Sequence, residues 1–108
     1  MTDNHENHVL ELATFKLKSG VTEEQFNFAN ESLSGWARRQ PGFVSRNLSY
    51  NKAEQTYIDV VYWESMAAAQ AADEISMNSE ECAPLFGMIE DDSVKLVHAV
   101  PVTSAVAA

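Results

Sequence analysis

The stretch from Tyr57 to Glu64 (Tyr-Ile-Asp-Val-Val-Tyr-Trp-Glu) constrains the fold more than any other part of this chain. It is dense in β-branched and aromatic residues, the composition of a strand. Ile58, Val60 and Tyr62 fall on one face of that strand, and Tyr57, Asp59, Val61 and Trp63 on the other. Both faces are largely apolar. A strand that must hide two faces belongs in the middle of a sheet, with helices on one side and a second covering on the other.

The remaining elements follow from periodicity. Residues 1–7 read as a solvated tail, and His8 to Lys18 as a first strand, with Val9, Glu11, Ala13, Phe15 and Leu17 against Leu10, Leu12, Thr14 and Lys16. This strand also carries apolar residues on both faces and is expected to be central. After Ser19-Gly20, Thr22 is an N-cap and Gln25 completes a capping box, with Glu23 and Glu24 at the positive end of the helix dipole. That helix is predicted to run to about Arg39 and to bury Phe26, Ala29, Leu33, Trp36 and Ala37. Gln40-Pro41-Gly42-Phe43 ends it and opens a strand from Phe43 to Tyr50, whose Ser45, Asn47 and Ser49 form a polar face. Such a strand suits a sheet edge, and the short connection from Asn51 to Gln55 predicts an antiparallel hairpin with the Tyr57 strand.

Ser65 is an N-cap for an alanine-rich helix from Met66 to about Ile75. A second helical piece is predicted from Ser79 or Glu80 to about Ile89, and a last strand from Ser93 to Val100, closed by Pro101. Residues 102–108 form an Ala-rich tail. The order β-α-β-β-α-β is the ferredoxin-like α+β arrangement, a four-stranded antiparallel sheet over residues 8–101 with the first and third strands central.

Two helices cover only one face of such a sheet. Ala13, Phe15, Leu17, Val61 and Trp63 are expected on the other, and an apolar patch of that kind marks an interface. The economical covering is a second copy of the chain, two sheets meeting face to face as a dimeric α+β barrel.

Charge and cysteine usage narrow the function. A net charge of −9, from sixteen carboxylates against seven Lys and Arg, disfavours nucleic acid and anionic membrane as partners. No apolar run approaches bilayer length, and the polar first residues lack the pattern of a secretory signal, so a cytoplasmic location is expected. The single cysteine, Cys82, excludes an intrachain disulfide and, beside Glu81, has no cationic neighbour to activate it. His5 and His8 flank Glu6 in a His-x-x-His spacing that alone is a weak metal signal. Phosphate loops, paired-cysteine metal sites and nucleophile elbows are absent from the sequence.

The topology, the helix-ending Gln40-Pro41-Gly42-Phe43, the third strand closing on Trp63-Glu64-Ser65 and the following Ala67-Ala68 resemble the antibiotic biosynthesis monooxygenase family, of the dimeric α+β barrel superfamily. The resemblance spans about residues 8–100. It implies a homodimer acting on a small aromatic or polyketide-like molecule. In that family some members oxidise polycyclic phenols without metal or flavin, some degrade haem, some isomerise metabolites and some have no established activity. The haem-degrading members use an Asn, a Trp and a second-helix His as a set. Trp63 resembles that Trp, but the second helical region here has no histidine, which argues against haem.

The polar groups expected to point into the barrel are Glu11, Asp59 and His98. Glu11 on the first strand can neighbour both others, and an imidazole oriented by a carboxylate is a general base near neutral pH. Trp63 would wall an aromatic substrate, with Phe15 on the same apolar face, Tyr57 near the cavity mouth and Phe86 as part of a lid. Arg46 could reach inward from the edge strand to pair with Asp59 or bind an anionic or phenolic group, but a surface or interface salt bridge is the favoured reading. The plainer reading makes His98 a core histidine bonded to Glu11 and Trp63 simple packing, with a non-catalytic ligand-binding or stress-response dimer as the alternative function. No cofactor and no metal are implied.

Overall fold

The computed structural model describes residues 8–108. The expected tail over residues 1–7, with His5 and Glu6, lies outside them. Strands β1 (Val9–Phe15), β2 (Phe43–Asn51), β3 (Thr56–Trp63) and β4 (Lys95–Ala99) form one antiparallel sheet in the order β2-β3-β1-β4. Helices α1 (Glu23–Arg38), α2 (Met66–Ser76) and the short α3 (Ala83–Gly87) complete a ferredoxin-like α+β fold. β1 and β3 are the central strands, as their doubly apolar patterns require. No helix of the described residues is long and apolar enough to cross a membrane.

Local chemistry sets the helix ends. The Gln25 amide N–H donates to Thr22 Oγ1 at 3.1 Å and the Thr22 N–H to Gln25 Oε1 at 3.0 Å, the reciprocal capping box. Ser65 Oγ accepts from the Ala68 N–H at 3.1 Å and starts α2. α3 is shorter than the apolar spacing predicts because tertiary pairing claims its ends. Ser79 Oγ accepts from the Glu81 and Cys82 N–H groups, holding the chain in a turn before Ala83. Beyond Gly87, the Lys18 N–H donates to the Met88 carbonyl, Glu90 N–H to Lys16, and Leu17 bridges Ile89. β4 is likewise late to start, because Asp91–Ser93 forms a 3-10 turn whose Ser93 hydroxyl donates to Glu90 O at 2.6 Å.

The sheet face that meets the helices is the reverse of the one expected. Val9, Phe15 and Trp63 are buried in two core clusters with Trp36, Ala37, Ala69 and Ala72 at one end and Phe26, Ala29, Leu85 and Ile89 at the other. Ala13, Phe15, Val61 and Trp63 therefore lie beneath the helices, and Leu17 packs beside them. The opposite face carries Leu10, Leu12, Ile58, Val60, Tyr62 and Val97, none of which belongs to either cluster. Alternation separates a strand's residues into two sets without saying which set faces the helices, and here both sets are apolar.

β2 carries a β-bulge near its start. Phe43 pairs with Trp63 while Ser45 pairs with Tyr62, so Val44 is the extra residue. The shift lets both Phe43 and Arg46 face the helices, where simple alternation would place them on opposite sides.

Candidate functional site

A cavity of about 390 Å³ opens between the helix-covered face of the sheet and the helices. Its sheet wall is Glu11, Ala13, Phe15, Val61 and Trp63. α1 contributes Leu33, Trp36 and Ala37, and α2 contributes Ala72, Asp73 and Ser76. Phe86, Asp91, Val94 and Leu96 line it from α3, the 3-10 turn and β4. The pocket thus forms within one chain, not between two opposed sheets, and Glu11 and Asp59, expected to point into a barrel, line it instead.

Glu11 is the polar centre of this wall. Its Oε1 accepts a hydrogen bond from Trp63 Nε1 at 2.8 Å, and its Oε2 lies 3.9 Å from His98 Nε2, the imidazole directly opposite it in the β1–β4 register. His98 Nε2 is also 3.1 Å from Asp73 Oδ2, a contact close enough for an ion pair but not aligned as a hydrogen bond. Burial, followed by the hydrogen bond to Asp73 and the charge of Asp73, pushes the Glu11 carboxyl from 4.5 up to about 8; the Trp63 N–H opposes this and Asp59 adds to it. At neutral pH the Glu11 carboxyl therefore holds its proton.

A second polar group lies deeper. Arg46 Nη2 donates to Asp59 Oδ2 at 2.8 Å and its Nε reaches both Asp59 oxygens at 3.1 and 3.2 Å. Its Nη1 donates to Asn30 Oδ1 at 2.7 Å and Ser34 Oγ at 2.8 Å on α1. All three guanidinium nitrogens are engaged, and the two charged side chains are only 6% and 13% exposed. Arg46 thus reaches inward to Asp59 instead of forming the surface or interface salt bridge that the sequence favours.

The other expected site residues divide. Phe15 and Phe86 line the cavity, with Phe86 partly exposed as a lid residue would be. Tyr57 is not on the wall: it packs against Phe15, Phe26 and Tyr50 at centroid distances of 5.5, 4.6 and 4.6 Å. His98 stands behind Glu11 and Asp73 rather than on the wall itself. Sequence reasoning missed Asp73, Asn30 and Ser34. For Asp73 a signal existed, since it falls four residues after Ala69 and beside Ala72, on the buried stripe of α2.

Glu11, Asp73 and His98 each offer one ligand atom within 4.8 Å of the others, a donor set suited to a divalent cation as well as to a shared proton.

The fold and the pocket define a ferredoxin-like α+β protein with a ligand-sized cavity under its helices. No family model matches the chain, and no curated protein matches it. Solved structures do. A variant of SnoaB from Streptomyces nogalater, described as a cofactor-independent oxygenase, is 16% identical with a TM-score of 0.70, over 91% of this chain and 96% of that one. A Bordetella bronchiseptica protein, provisionally described as an antibiotic biosynthesis monooxygenase, is 20% identical with a TM-score of 0.69, over 90% and 99%. Rv0793 from Mycobacterium tuberculosis is 13% identical with a TM-score of 0.65, over 92% and 99%. At these identities the likeness shows that this chain has their fold.

Proposed function

We propose that the chain is a cytoplasmic, homodimeric protein of the antibiotic biosynthesis monooxygenase type. In this reading residues 8–101 form its one domain, which binds a small, partly aromatic molecule beneath its helices and removes a proton from it without a cofactor, with oxygen as the second reactant. The observation that carries this reading is the Glu11–Asp73–His98 group at the edge of an otherwise apolar cavity. Trp36, Trp63 and Phe86 supply flat apolar surface for a fused ring. Asp73, on the wall, accepts the proton from an acidic O–H or C–H of the ligand. His98, 3.1 Å behind it, stabilises the charge change and receives the proton in turn. Glu11, protonated and held by Trp63, keeps the Asp73 carboxylate oriented toward the ligand. His98 is in this account the end of the proton path rather than the group that touches substrate.

The homodimer is supported by the apolar sheet face opposite the helices, where Leu10, Leu12, Ile58 and Val60 form one contiguous patch in register. The likeness to SnoaB supports the oxygenase chemistry, and the single buried cysteine is compatible with a reducing compartment.

Oxygen uptake with a panel of fused-ring phenols tests the reaction. Turnover is expected in the wild type and a fall of about a hundredfold in Asp73→Asn and in His98→Ala. Saturable binding without oxygen uptake would instead identify a non-catalytic binding protein, and absence of both would remove the reading.

A further inference from the structure

Resting on the ligand cavity proposed above, we infer that its occupant is an apolar ring system carrying an amine, bound as the ammonium, and that the cavity rejects carboxylated and phosphorylated analogues. The argument is a balance of charge across the cavity walls. Four carboxyl groups line them, of which Glu11 holds its proton at neutral pH and Asp59 is paired with Arg46, leaving Asp73 and Asp91. Arg46 is the one Lys or Arg among the lining residues, and each of its guanidinium nitrogens is already engaged, by Asp59, Asn30 or Ser34. The Trp63 N–H, another donor that could meet an anion, is already given to Glu11. An anionic ligand would therefore bring its charge beside Asp73 and Asp91 with no unpaired Lys or Arg among the lining residues to offset it, a costly arrangement in a partly dry site.

An ammonium has the opposite fate. Asp73 and Asp91 sit on the wall that α2 and the 3-10 turn present; neither is tied to an Arg or Lys, and the one basic group beside Asp73 is His98, 3.1 Å away. A ligand N–H donated to Asp73 makes a charge-assisted hydrogen bond in a partly dry site, and the ring beside it meets Trp36 and Phe86. The chain's net charge of −9 also favours the approach of a cation.

Three isosteric probes separate charge from shape: 2-naphthylmethylamine, 2-naphthylmethanol and 2-naphthoate, titrated calorimetrically into the full chain at pH 7. The two indole N–H resonances, of Trp36 and Trp63, report by NMR whether each probe enters the cavity. The amine is expected to bind at least about tenfold more tightly than the alcohol, and the carboxylate at least about tenfold more weakly. Asp73→Asn is expected to draw the amine-to-alcohol ratio toward one. Titration with EDTA present is expected to leave the order unchanged. A carboxylate that binds as well as the amine overturns the inference while leaving the ligand cavity standing. If none of the three binds or shifts either indole resonance, the inference and the ligand-binding reading both fail.

Discussion

The Trp63 indole N–H donates to Glu11 Oε1 at 2.8 Å, from the last residue of β3 to the third of β1. One neutral donor is thus set against burial and two neighbouring carboxylates, and it loses, so the Glu11 pKa rises to about 8. The bond orients the carboxyl without ionising it.

That imbalance has a measurable sign. In the unfolded chain Glu11 titrates near 4.5, whereas in the folded protein it holds its proton to about 8. Between these values the folded state binds more protons, so the contribution of Glu11 to stability is full below pH 4.5 and is lost as pH rises through 8. Compared with Glu11→Gln at each pH, the wild type is expected to lose melting temperature steadily from about pH 4.5 to about pH 8.5. A constant difference between the two proteins across that range would contradict the protonated Glu11. Trp63→Phe, which leaves Oε1 without its donor, is expected to cost about 1–3 kcal/mol in urea denaturation.

Arg46 and Asp59 form a buried pair, so removing one partner is far worse than removing both. Arg46→Met alone strands the Asp59 carboxylate, and Asp59→Leu alone strands the guanidinium. Each is expected to cost about 3–5 kcal/mol. The Arg46→Met/Asp59→Leu double variant is expected to be less destabilised than the sum of the two, a coupling that a denaturation double-mutant cycle measures directly.

Gly42 is irreplaceable for two independent reasons. Its φ is +83°, and a Cβ there would stand 2.6 Å from Ala68 Cβ on α2. Gly42→Ala is expected to lower stability by about 1–3 kcal/mol. Adding Ala68→Gly relieves the collision but not the backbone strain, so calorimetric melting should show partial recovery only.

The open sheet face predicts the quaternary state. Sedimentation at micromolar concentration is expected to give a dimer for the wild type. Leu12→Glu, which places a charge in the middle of the patch, is expected to give a folded monomer. A wild-type monomer under these conditions would remove the proposed interface.

Much of this was legible in the amino-acid order. The capping box at Thr22, the N-cap at Ser65, the polar edge strand and the two doubly apolar strands each depend on neighbours a few residues apart, and each is found where it was expected. The pairing of Arg46 with Asp59 was open in the sequence as the less favoured of two readings, because whether an edge-strand cation turns inward depends on the β-bulge and on what α1 offers it.

The sequence determined the elements, their order and the ionisable residues Glu11, Asp59 and His98, because period, caps and turns are short-range properties. Only the tertiary structure decided which sheet face the helices cover, since exchanging two apolar faces leaves a strand's alternation unchanged. It also decided that Asp73, and not His98, meets the cavity. The stripe of α2 marks Asp73 as inward, but what it meets there depends on how α2 lies across β1 and β3, a packing relation that periodicity does not encode.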